Sequence, residues 1–485
     1  MKKWIVTLLC VTLALALCVG CTDASESSSS SVAVDVVDIE EDDMFTDRDL
    51  SGDYDASEAT NITLTTSSVT IDTEGTYIIS GSLSNGQIIV DAEDAKVQLV
   101  LNGVDITCET SAPIYIKNAD KVFITLASGT SNTVAVTDSF VDIDENSIDG
   151  AIYSKCDLTF NGTGSLSVTS LLGHGIVAKD DLVFASGTFS IFSASHGINA
   201  NDSIRIYSGT FTIDSGKDGM QADNEDNEDK GFIYILDGTF TIDSDRDSVQ
   251  ASSTLLIKGG TFTLTSGGGF DEVLNDLTVG EGSGSSTMAT DLLPYSMKCF
   301  KANDIQFDGG TYYLSSYEDA IHANNTYCVI NDGTFEIYSG DDAIHSDDSL
   351  IINGGDITIV EGYEGIEGHN SLTINGGNIS VNIYDDALNV GSSSGTLTIT
   401  GGYIYLACQG DGIDTNGDFV MTGGTVILDV DAIYTAGDGE FDISGSITYT
   451  GGEIYDEKGN TLTPSTSSTS SSGGSSSFFP TITRR

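Results

Sequence analysis

Charged side chains recur in pairs three residues apart through the second half of this chain. Lys298 and Lys301 are followed by Asp319 and His322, Asp342 and His345, Glu364 and Glu367, then Asp386 and Asn389. Asp218 with Gln221, Asp247 with Gln250 and Asp411 with Asp414 continue both columns to either side, and Glu318, Asp341 and Asp385 thicken the first. Carboxylates crowded in this way suit hard cations, above all calcium, which accepts six to eight oxygen ligands in loose geometry. A lysine pair among them suits a negatively charged sugar, or a general base for β-elimination if one amine has a depressed pKa. It could equally serve only to neutralise neighbouring acids.

These residues need a scaffold that repeats. From the Ser-Gly-Thr-Phe at Gly187 a motif glycine recurs at 209, 238, 260, 310, 333, 355, 377, 402 and 424, with most intervals equal or close to 22 residues. A fixed period of this length marks a solenoid, in which no unit buries its apolar face alone. Within a unit, apolar residues alternate with polar ones, the signature of strands. Phe189, Phe211, Phe240, Phe262, Tyr312 and Phe335 fall in one inward column, continued by Ile357, Ile379, Ile404 and Val426. A second strand precedes the glycine, as in Leu350 and Ile352, and a third carries Ile321, Ile344, Ile366, Leu388 and Ile413.

Three short strands per unit describe an all-β fold, a single-stranded parallel β-helix with 22-residue coils. It is expected to be right-handed, as parallel crossovers generally are. Each coil has a perimeter of about 70 Å, and coils stack about 4.8 Å apart. The acidic pairs then form columns along one corner. Two carboxylates at that spacing repel by about 0.9 kcal/mol in water and about 3.5 kcal/mol at an effective dielectric of 20. Repeated over several coils, such repulsion requires protonation, splaying or intervening cations.

Calcium fits best at Asp319, Asp341, Asp342, Glu364, Glu367, Asp385 and Asp386. Two other readings stay open: the acids serve bend geometry alone, or zinc is held by His322, His345 and a carboxylate, without a sharp spacing signature. The column at Asp223, Asn303, Asn324, Asp347 and Asn416 reads as a structural ladder. Gly267 to Ser296 forms an insertion ahead of the lysines, and a smaller acidic one around residues 224–229 reads as lying on the same flank. Loops of this kind can frame a groove.

The ends bear on location. Lys2-Lys3 and the apolar run from Ile5 to Val19 read as a signal peptide over residues 1–20, too short to span a bilayer. Leu17-Cys18-Val19-Gly20-Cys21 resembles a bacterial lipobox, with Cys18 in place of the usual Leu. That resemblance implies a lipidated Cys21 anchored at the outer face of the cell membrane. Residues 21–57 read as a disordered Ser-rich and acidic tether, 58–456 as the β-helix, and 457–485 as a Ser/Gly-rich tail. Eighteen basic against 73 acidic residues give a net charge of −55, which excludes general nucleic-acid binding. The scattered Cys108, Cys156, Cys299, Cys328 and Cys408, without Cys-x-x-Cys spacing, indicate neither a disulfide framework nor a zinc site built on them. Trp4, the one tryptophan, lies in the signal, so sugar stacking would fall to Tyr312, Tyr313, Tyr317, Tyr338 or Tyr363.

The series Lys298-Cys299-Phe300-Lys301, Glu318-Asp319-Ala320-Ile321-His322, Asp341-Asp342-Ala343-Ile344-His345, Tyr363-Glu364-Gly365-Ile366-Glu367-Gly368 and Asp385-Asp386-Ala387-Leu388-Asn389 resembles a bacterial cell-surface carbohydrate-binding β-helix family. The resemblance covers roughly residues 60–455. It implies calcium binding and recognition of acidic polysaccharide such as polygalacturonate, and of cellulose, on a fold similar to polysaccharide lyase family nine. The expected protein is a monomeric surface lipoprotein binding acidic plant cell-wall polysaccharide through Lys298, Lys301, His322 and His345 with calcium. The alternatives are a calcium-dependent lyase with Lys298 or Lys301 as base, and a surface adhesin or spacer.

Overall fold

The computed structural model describes residues 44–466, apart from 142–143, 225, 228, 274–294 and 432–438. The signal region, Cys21 and Phe478-Phe479 therefore lie outside the described residues, as does the middle of the long insertion. Two compact units divide the chain at Glu40, and all described residues belong to the second.

The repeat folds as its alternation dictates. In one coil, Ser349–Ile352 and Asp356–Glu361 flank the glycine bend, Glu364–Gly368 forms the corner strand, and Ser371–Ile374 begins the next coil. Among the described residues, the two strands flanking each bend join a 27-stranded sheet, while the corner strands stack into one of 15 strands. Successive coils pair in parallel, so like residues meet: Phe211 faces Phe240, Leu350 faces Leu372 and Glu367 faces Asn389. This is the expected parallel β-helix. The earliest coils use longer strands, Gly75–Leu83 and Lys96–Cys108.

The inward columns form the core. Phe189, Phe211, Phe240, Phe262, Tyr312 and Phe335 stack with centroids 4.4–5.1 Å apart and ring planes within 14° of parallel. The bends allow this close approach. At Gly355, with φ +94°, a Cβ would lie 2.8 Å from the Gly333 carbonyl oxygen, so neither strain nor space permits a side chain. All five described cysteines are buried and free, and burial pushes the Cys328 thiol up to about 12.

One segment departs from the sequence expectation. Residues 44–57 fall within the expected tether, yet the structure lays residues 44–53 against the coils. Thr46 caps a short helix, Asp47–Leu50, with a reciprocal capping box to Asp49. The buried Asp49 carboxylate accepts from Thr159 Oγ1 at 2.6 Å and pairs with Lys121 Nζ at 2.8 Å. Arg48 lies over the Phe123 ring at 4.6 Å, and Phe45 packs edge-on to Tyr207 at 5.4 Å. Low hydrophobicity favours disorder only while the polar groups lack specific partners, and here the coil surface supplies them.

Candidate functional site

The corner sheet holds the paired charges in register. Gln221, Gln250, Lys301, His322, His345, Glu367, Asn389, Asp414 and Asp442 are successive partners across neighbouring strands. Alternation puts Ile321, Ile344, Ile366 and Leu388 inward beside them, fully or almost fully buried, so the polar members point out. The other column, three residues earlier, sits at the bend into each corner strand.

That bend column is a ladder of caps. Asp218 Oδ1 accepts the Asp247 N–H at 3.2 Å, and Asp247 Oδ1 accepts the Lys298 N–H at 2.8 Å. Asp319 Oδ1 accepts the Asp342 N–H at 3.2 Å, Asp386 Oδ1 that of Asp411 at 2.6 Å, and Asp411 Oδ1 that of Gly439 at 2.8 Å. Each carboxylate thus satisfies backbone one coil along, which accounts for much of the column as bend chemistry.

The ladder fails at Asp342. Its Oδ1 is buried and has no hydrogen-bond partner, while Oδ2 faces His345 Nδ1. The Glu364 and Glu367 carboxyls crowd the same place. Burial, then the charges of Asp319, Asp341 and Glu367, push Asp342 well above the usual carboxylate range. Glu364 is pushed up to about 9 by burial and by Asp342, Glu367, Asp385 and Asp386. Both shifts show that burial and neighbouring acids disfavour the charged carboxylates here, with the Glu364 side chain acting the other way on Asp342. An orphaned buried oxygen among hard oxygen donors fits calcium, with Asp342, Glu364 and Glu367 as the holding residues. Asp342, His345 and Glu367 bring ligand atoms within 4.8 Å of one another, as do Asp386, Asp411 and Asp414. Asp414 is driven up to about 8 by burial and by Asp386, Asp442 and Asp411. Asp319 differs: Oδ1 caps the next coil, and Oδ2 meets Lys298 Nζ at 3.1 Å and His322 Nδ1 at 2.5 Å.

The lysines divide in role. Lys298 Nζ sits 2.9 Å from Glu318 Oε2 and 3.1 Å from Asp319 Oδ2, and the Met297 N–H also donates to Glu318 Oε2. Burial would lower the Lys298 pKa, but Asp319 and Glu318 outweigh it and drive the ammonium well above its ordinary value. Lys298 is therefore a fixed cation, unsuited to act as a base. Lys301 is more open, and its Nζ lies 3.6 Å from Asp247 Oδ2. Between the lysines, Cys299 and Phe300 are fully buried in the core.

Other expected features sort by burial. Tyr312 and Tyr317 are core residues, whereas Tyr313 is 42% exposed with its ring 5.7 Å from that of Tyr338. The two insertions occupy different bends, one following Thr261–Ser266 ahead of a corner strand and one following the corner strand Met220–Ala222, so they do not share a flank. The described root of the longer one folds back, with Val273 packing on Met297 and Tyr317. Asp347 is a candidate that the charged columns do not single out. It reads as a ladder residue, yet its Oδ1 lies 3.3 Å from His322 Nε2 and 3.2 Å from His345 Nε2. The available signal was its place two residues after His345, at the bend that ends the corner strand Asp342–Ser346.

Residues 65–343 and 340–477 match the family model described as carbohydrate-binding domain-containing protein. A carbohydrate-binding domain-containing protein of Acetivibrio thermocellus is 40% identical over 126 residues, or 25% of this chain and 44% of that protein. The chain thus spans less than half the length of that relative. A solved structure described as the polysaccharide lyase-like protein from C. thermocellum, gadolinium derivative, is 34% identical. That likeness covers 41% of this chain and 82% of the other, with a TM-score of 0.40.

Proposed function

The chain belongs to the carbohydrate-binding domain-containing protein family, and from that premise we propose that its acidic corner binds acidic plant cell-wall polysaccharide with calcium. The observation carrying this reading is the broken cap ladder, where buried Asp342 Oδ1 has no partner beside Glu364 and Glu367. Those carboxylates would hold the ion, which supplies positive charge for a uronate carboxylate. Lys301, two coils from Asp342 and three from the glutamates, adds a partly exposed ammonium 3.6 Å from Asp247 Oδ2. His322 and His345 lie between them in the same column and face the polymer. In the same reading the protein is a monomer displayed at the cell surface through lipidated Cys21.

Retention on polygalacturonate and on cellulose, with calcium and with chelator, tests this. Chelation and Lys301→Ala should each weaken the acidic polymer by on the order of tenfold, the loss of one charge-assisted contact, and spare cellulose. Unchanged retention under both treatments would overturn the proposal and leave an adhesin or spacer. A lysine-base lyase would rest on Lys301, because Lys298 is fixed as a cation. Release of unsaturated uronides that stops in Lys301→Ala would establish it.

A further inference from the structure

We propose that His322, His345 and Asp347 form a site for a borderline transition-metal ion of the zinc type, on the ring edges turned away from Asp342 and Glu367. The two imidazoles come from adjacent coils and stack with centroids 4.6 Å apart. Each Nδ1 faces a buried carboxylate, Asp319 Oδ2 for His322 and Asp342 Oδ2 for His345. A carboxylate behind an imidazole places the proton on Nδ1 and fixes the ring, as behind metal-bound histidines generally. The lone pair of each ring then sits on Nε2. Both Nε2 atoms aim at one oxygen, Asp347 Oδ1, at 3.3 and 3.2 Å. Three lone-pair donors thus converge with no proton to join them.

The distances separate a metal from the alternative of two imidazoliums. Bonds from an imidazolium to a carboxylate run about 2.7–2.9 Å, shorter than either contact to Asp347. Ligands bound tetrahedrally to zinc at 2.0–2.1 Å lie about 3.3 Å from one another, which agrees with both separations. Two nitrogens and one carboxylate are a donor set that zinc accepts and calcium does not favour. Asp347 is half exposed, with a side chain 50% accessible, so a fourth position faces solvent. Three protein ligands with an open fourth position are the arrangement of zinc sites that exchange a water for a ligand.

The test needs no sugar, so its failure and that of the glycan reading are separate results. Purified mature protein in saturating calcium is titrated with zinc chloride by calorimetry, and with cobalt(II) by visible absorption. One equivalent of zinc should bind, and cobalt should show the intense band of tetrahedral coordination. His322→Ala and His345→Ala should weaken zinc by at least on the order of 100-fold. Asp347→Ala is the decisive variant, because a half-exposed rim residue can be removed without unfolding the coil, and it should weaken zinc similarly. Absence of saturable zinc uptake, displacement of zinc by calcium, an octahedral cobalt spectrum, or unchanged affinity in Asp347→Ala would each overturn the proposal.

Discussion

Lys298→Met removes a positive charge and keeps most of the apolar stem. The ammonium is largely buried, 2.9 Å from Glu318 and 3.1 Å from Asp319, and each attraction is worth about 5–6 kcal/mol at an effective dielectric of 20. Desolvation already offsets much of that gain, so the net effect follows from leaving two acids uncompensated. Breaking a buried pair from one side costs about 3–5 kcal/mol. In a domain of this size each kcal/mol lowers Tm by on the order of 1–2 °C, so the variant should melt several degrees lower. Differential scanning calorimetry reads the shift. Adding Glu318→Gln to Lys298→Met should recover part of it, because one stranded charge is then gone. A Tm unchanged in Lys298→Met, or a double variant no better than the single one, would refute the assignment of Lys298 as a fixed structural cation.

Two predictions concern pH. The Glu364 carboxyl is raised to about 9 in the folded state from an ordinary 4.5, so its contribution is complete below 4.5 and lost as pH rises through 9. In chelator the melting temperature should therefore fall from pH 5 to pH 9, and calcium should flatten that slope; equal slopes would refute calcium at this carboxylate. Asp49 runs the other way. Burial would raise it, but Lys121, Thr159 and Thr46 lower it from 3.8 to about 2. Its contribution, about 2 kcal/mol from a shift of that size, is present above 3.8 and lost as pH falls through 2. The stability gap between the wild type and Asp49→Asn, measured by denaturant titration, should narrow over that range. A gap independent of pH would show that Asp49 does not hold residues 44–53 through its charge.

Repetition made the scaffold legible. A residue and its counterpart one period later must stack in a parallel β-helix, so the phenylalanine column and the column from Gln221 to Asp414 could be read from spacing alone. Spacing also located the densest acids and the substitution of lysines among them. It could not say which carboxylate oxygens are already satisfied. Asp319 and Asp342 occupy equivalent places, yet only the first caps the next coil's backbone. Tyr312 and Tyr313 are neighbours, and strand direction buries one and exposes the other. The contact of Asp347 with His322 and the packing of residues 45–49 on Phe123, Thr159 and Tyr207 join different coils, which spacing does not place together. Periodicity is a property of one dimension and determines the columns. Hydrogen-bond satisfaction depends on atoms meeting across coils, so only the tertiary structure decided which members of a column are structural and which remain available for a ligand.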